Sequence, residues 1–198
     1  MPSLAVLLDL AVIVISFVFG IGVYYFLSID TKDVKKKQLE DVVSLTINFV
    51  IYIWIGKIVI NIGKFIKDPF SILAYPSNSY AVYVATFFII INLLYRKYRH
   101  NEQISSIIFA FIPVFLISSF VFEFLQFVVE GRTFNLYYLI LLSILAIGYT
   151  FVYGKISLRK QSYLFGIILL MGQLLLTAIS KATIFGYRLS DVYFASLL

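Results

Sequence analysis

At 198 residues, with 62% hydrophobic and 18% aromatic side chains and only 13% charged, the chain has too little polar surface to enclose a soluble core. The formal charge of +6 does not point to nucleic acid, because Lys and Arg lie in short stretches between apolar runs and form no basic domain outside them. Cysteine is absent, which excludes disulfides, thiolate metal sites, thiol redox chemistry and cysteine lipidation.

The N-terminal stretch, Met1 to Leu10, carries no basic cluster and leads into an apolar run too long for a cleavable signal, so it is expected to remain as a first helix. Runs of about 20 apolar residues can cross roughly 30 Å of hydrocarbon. Six such runs are read: Leu4–Ser28, Val42–Ile66, Tyr80–Tyr95, Ile104–Val128, Leu136–Tyr153 and Ser162–Gly186, the third and fifth being short. Barrel-type alternation is absent and an open sheet would leave unpaired backbone in lipid. The expected fold is therefore all-α, a polytopic transmembrane helix bundle forming one integral membrane domain over 1–198.

Three basic stretches follow the first, third and fifth runs: Lys32, Lys35, Lys36 and Lys37; Arg96, Lys97 and Arg99; Lys155, Arg159 and Lys160. The other side carries Lys64, Lys67, Arg132, Lys181 and Arg188, half as many. Cytoplasmic loops hold the basic excess, so both termini are expected to face outward in a multi-pass cell membrane protein of bacterial type. Tyr24, Tyr25, Tyr95, Tyr98, Tyr149, Tyr153 and Tyr163 fall where an inner aromatic belt belongs. Pro113, within the fourth run, should bend that helix or free a carbonyl one turn earlier. The outward stretch Lys67 to Ser79 contains Pro69, Pro76 and Asn78, and its apolar centre, Phe70 to Tyr75, is expected in the interface.

Asp9, Lys57, Lys64, Glu123 and Lys181 are ionisable groups inside otherwise apolar runs, all in the outward half. Each costs at least about 2.5 kcal/mol on insertion scales, so such groups pair, line a wet cavity or serve a ligand. Lys57, Asn61 and Lys64 recur at helical steps and share a face of a continuous helix, with Gly56 and Gly63 on an adjoining face suited to close packing. Lys64 can snorkel; Lys57, about 11 Å below the outer end by helical rise, reaches water less easily. Two readings follow. Lys57 and Glu123, and Asp9 with Lys64 or Lys181, pair to let the helices assemble. Alternatively the amines, with Asn61, Gln126 and Gln173, receive an anionic lipid head group or a partner's carboxylate.

No enzyme constellation stands out. His100 is the single histidine and sits in a basic stretch without a carboxylate or serine set, Gly20-Ile-Gly22 lies in an apolar helix without strand context, and Ser118 and Ser119 lack a base. No metal or other cofactor is expected.

Asp68 to Leu73 through Tyr80 to Tyr83 and Leu94 to Arg99, then Arg132 to Tyr138, Arg159 to Gln173 and Gly186 to Asp191, resemble prolipoprotein diacylglyceryl transferase over about half of the chain. The resemblance implies a lipid-facing site at the outer leaflet. The family's His-Gly-Gly segment has no counterpart, its arginine beside Gly172 is Gln173 here, the acidic residue of that helix is missing, and Leu4 to Ile66 is extra. It therefore implies a pared-down relative with no catalytic residue carried over. The functional expectation is a non-catalytic protein holding a membrane lipid, or a partner membrane protein or lipoprotein, through Asp9, Lys57, Asn61, Lys64, Glu123, Gln126, Gln173 and Lys181. A lipid-modifying transferase and a transporter or ion-permeation subunit are the alternatives.

Overall fold

In a computed structural model, residues 4–69, 78–100, 103–130, 135–179 and 183–197 are described. Lys181, Arg132 and the Phe70 to Tyr75 stretch, all singled out above, lie outside them. The regular elements are α1 (Leu4–Leu27), α2 (Lys32–Ile60), α3 (Ile62–Lys67), α4 (Ser79–His100), α5 (Ile104–Glu130), α6 (Leu136–Val152), α7 (Leu158–Ile179) and α8 (Asp191–Leu197). The fold is all-α, of the membrane helix-bundle type. Among the described residues five helices, α1, α2, α4, α5 and α7, are long and apolar enough to cross a membrane, and α6 is a shorter apolar helix of 17 residues.

The apolar runs forecast most helix bounds to within about five residues, α4 running on to His100 and α7 starting early at Leu158, and three larger differences stand out. α2 starts at Lys32, well before its apolar run at Val42, because Lys35, Lys36 and Lys37 ride on the first turns of the helix instead of in a loop. The Lys35 amide bonds to the Thr31 carbonyl at 3.0 Å, and Asp33 in the first turn suits the positive end of the helix dipole. The second run breaks at Asn61, between α2 and α3. The last run does not reach Gly186: α7 ends at Ile179, and Phe185 and Gly186 take φ of 47° and 82°, which no right-handed helix accommodates.

By its contacts the chain divides into two compact units, one of residues 1–39 with 105–198 and one of residues 40–104. In the first, α5, α6 and α7 share an apolar core of Leu116, Ile117, Tyr138, Leu142, Leu145, Tyr149, Phe165 and Leu169. α1 crosses α5 at Gly20, where a Cβ would stand 2.2 Å from the Ser118 hydroxyl and 2.7 Å from the Val114 carbonyl. Only glycine permits this approach. Near the basic stretches, Tyr24 donates to Gln38 Oε1 at 2.8 Å and Gln38 Nε2 donates to Ser106 at 3.3 Å, tying α1, the first turns of α2 and α5 together.

Pro113 lies inside α5 and frees the Phe109 carbonyl, which has no N–H four residues on to meet. Ser162, fully buried on α7, donates to that oxygen at 3.0 Å. The carbonyl expected from the sequence is thus used as an interhelical bond.

In the second unit α2 and α4 run antiparallel. Arg96 pairs with Asp41, Asn92 donates to the Tyr52 hydroxyl at 3.1 Å, and a Cβ on Gly56 would stand 2.9 Å from the Ala81 carbonyl. Ala81 and Ala85 are fully buried, so small residues line the close crossing. Gly63 does not share this role: a Cβ there would meet nothing within 4 Å among the described residues. In both units large apolar side chains such as Val18, Phe26, Phe87 and Ile144 remain exposed, as a surface solvated by lipid requires.

Candidate functional site

α5 builds the site in the first unit. Ser119, Glu123 and Gln126 follow at steps of four and three, so they stand on one stripe, and all are buried. The stripe faces protein, which is the arrangement that spares ionisable and amide groups from hydrocarbon. Each finds company from another element. Gln126 Nε2 donates to Asp9 of α1 at 3.5 Å, the limit of a hydrogen bond. Glu123 Oε2 accepts from Asn135 Nδ2 at 2.8 Å.

Asn135 stands at the start of α6 and is the hub. Its Nδ2 also reaches the Thr183 hydroxyl at 2.8 Å and carbonyl at 3.4 Å, while its Oδ1 accepts from the Thr183 amide at 3.1 Å. One carboxamide therefore links the α5 carboxylate to the segment after α7. One helical turn further, the Tyr138 hydroxyl lies beside Ser119, Glu123 and Gln173 of α7. Ser119, Tyr138 and Gln173 are 1%, 1% and 2% exposed, and Ser119 Oγ, Tyr138 Oη and Gln173 Nε2 make no well-directed hydrogen bond among the described residues. The Tyr138 hydroxyl is within hydrogen-bonding reach of Ser119 and Gln173 but not well aligned with them, and buried donors met so poorly are uncommon.

The second unit carries the amines. Lys57 is 7% exposed, with its ammonium over the Trp54 ring at 5.1 Å from the centroid. A cation over an indole face is one way to keep a lysine within the apolar length of a helix. Beyond it the helix breaks. Asn61 sits at φ −111° and ψ 30°, its amide shared between the Lys57 and Ile58 carbonyls at 3.2 Å each, and its side chain donates to the Lys57 carbonyl at 3.0 Å. A short polar side chain competing for backbone ends the α-helical register there. α3 then restarts with Lys64 N bonded to the Asn61 carbonyl at 2.9 Å. The face shared by Lys57, Asn61 and Lys64 presupposes one continuous helix; the helix is interrupted at Asn61, although the Asn61 N–H still reaches the Lys57 carbonyl and the Phe65 N–H the Asn61 carbonyl at 3.0 Å, and Lys64 falls in the six-residue helix α3.

Of the residues read as a site, Asp9, Glu123, Gln126 and Gln173 fall in the first unit and Lys57, Asn61 and Lys64 in the second. Sequence reading missed Asn135, Tyr138, Ser119 and Thr183 as partners. Asn135 opens a short helix in a polar connection, where a capping residue is the ordinary expectation, and nothing in the string shows that its amide instead bridges two elements. The described residues hold no group of three or more His, Asp or Glu side chains suited to a metal ion.

Comparison with known proteins finds no matching family model, no matching curated protein and no matching solved structure.

Proposed function

We propose that the chain is a non-catalytic, multi-spanning protein of a bacterial-type cell membrane that binds a lipid, or a partner membrane protein or lipoprotein, through polar groups in the outer half of its helices. One observation carries the reading: Ser119, Tyr138 and Gln173 are buried together beside Glu123 with donors that no described acceptor meets in good geometry. Polar groups kept only to assemble helices are expected to satisfy one another, because an unmade hydrogen bond in the interior costs about 1–3 kcal/mol. Donors met so poorly support an external oxygen acceptor.

The test is native purification with mass spectrometry of the bound lipid and protein. Glu123→Leu and Lys57→Met are each expected to lower retention of the co-purifying species about tenfold, the equivalent of roughly 1.4 kcal/mol, with membrane insertion intact. Unchanged retention in both variants rules the role out.

A further inference from the structure

The segment following α7 turns back as a two-residue hairpin. Ile184 and Tyr187 exchange both backbone bonds at 2.9 Å, and the central residues Phe185 and Gly186 have φ of 47° and 82°. Positive φ at both centres is the signature of a type I′ turn, whose ordinary sequence is Asn-Gly or Gly-Gly. Gly186 suits it. Phe185 does not: a bulky residue in the left-handed region is strained and persists only where its surroundings hold it.

The holding contacts are aromatic. The Phe185 ring lies 5.6 Å from Phe17 of α1, 5.8 Å from Phe115 and 4.8 Å from Phe122 of α5. The ring is therefore inserted between the two helices beside the buried stripe. At the hairpin's entry, Thr183 is gripped by Asn135 through three hydrogen bonds, and the same Asn135 amide holds Glu123. Strain on one side of the turn, and on the other a catch wired to the site carboxylate, are the parts of a bistable closure.

We propose that the Thr183–Tyr187 hairpin is a latch over the polar stripe of α5: Phe185 is the bolt, Asn135 the catch, and Glu123, Ser119 and Gln173 the groups to which it controls access. It rests on the functional reading above, and it adds how a ligand reaches groups that are almost fully buried. Withdrawing Phe185 relieves the left-handed strain. It also frees Asn135 to leave Thr183 for an arriving oxygen acceptor without releasing Glu123.

The chain's lack of cysteine makes the test direct. Ser119→Cys reports the stripe, and Ser162→Cys, equally buried on the Phe109 carbonyl of the same unit, reports general loosening. Each is made in the full chain in nanodiscs and labelled with a charged maleimide. Slow labelling of both is expected in the otherwise native chain. Phe185→Ala is expected to speed labelling at position 119 at least tenfold and to leave position 162 unchanged. Thr183→Val, which keeps the ring and the backbone but removes one hydroxyl, should give a smaller acceleration at 119 only. Unchanged rates at 119, or equal acceleration at both positions, would overturn the latch, the second outcome marking the hairpin as a packing strut. Retention of lipid or partner in Glu123→Leu is scored separately, so selective opening with unchanged retention removes the binding role and leaves the latch standing.

Discussion

Ser162 and Pro113 show how one residue's defect becomes another's function. A proline inside a helix removes a hydrogen bond and leaves a carbonyl bare, a serious matter where no water reaches. Ser162 supplies the missing proton from α7, and its own hydroxyl is satisfied by the same bond. Ser162→Ala is therefore expected to destabilise the detergent-solubilised protein by about 1 kcal/mol. In a Pro113→Ala background, where position 113 regains its N–H, the same change should cost close to nothing. The thermodynamic cycle of the four proteins, read by thermal or denaturant unfolding, measures that coupling; equal costs in both backgrounds would show that the bond does not matter. The free carbonyl was legible in the sequence, since it follows from proline chemistry alone. Its acceptor role towards Ser162 was not, because the two residues are about fifty positions apart and only the fold brings them together.

Pairs of helices in this chain meet where glycine lets backbones touch. α2 and α4 approach at Gly56, and the neighbouring atoms are backbone atoms of Ala81, which cannot swing aside. Gly56→Ala is expected to destabilise the protein by about 1–3 kcal/mol through overpacking. Gly63→Ala meets none of the described residues, so it should be neutral or gain up to about 1 kcal/mol from helix propensity. Melting the two variants side by side settles whether helix contact, not glycine as such, sets the cost; similar losses in both would refute the distinction. The sequence gives these glycines the same appearance, seven residues apart in an apolar run. What separates them is register: Gly56 lies against Ala81 near the start of α4, whereas Gly63, beyond the interruption at Asn61, meets none of the described residues. Apolar length thus revealed nearly every helix, while local backbone chemistry is what it missed: the interruption at Asn61 within the second run, and the positive φ of Phe185 and Gly186 at the end of the last. The Phe185 turn was the less legible of the two, because it violates the residue preference by which such turns are recognised.

At the scale of the whole molecule the placement of charge relative to lipid decides what the polar stripe meets. Lys32 to Lys37 lie at the start of α2, Arg96 to Arg99 within the end of α4, and Lys155 to Lys160 in the connection from α6 and the first turn of α7. The positive-inside rule places a basic excess in the cytoplasm, and on that expectation α8 and the Asn135–Glu123 hub would face outward. Single cysteines against the native cysteine-free background report this directly. Ser196→Cys, on α8, should react with an impermeant maleimide added to intact cells, whereas Ser157→Cys, in the exposed stretch before α7, should react only after the membrane is opened. Replacing Lys35, Lys36 and Lys37 with Gln should weaken the bias and produce a mixed population labelled at both positions. The reverse pattern in the native chain would turn Glu123 towards the cytoplasm. A ligand arriving from the outer leaflet would then have no route to the stripe, and the acceptor for its poorly met donors would have to come from the inner leaflet or from a cytoplasmic partner.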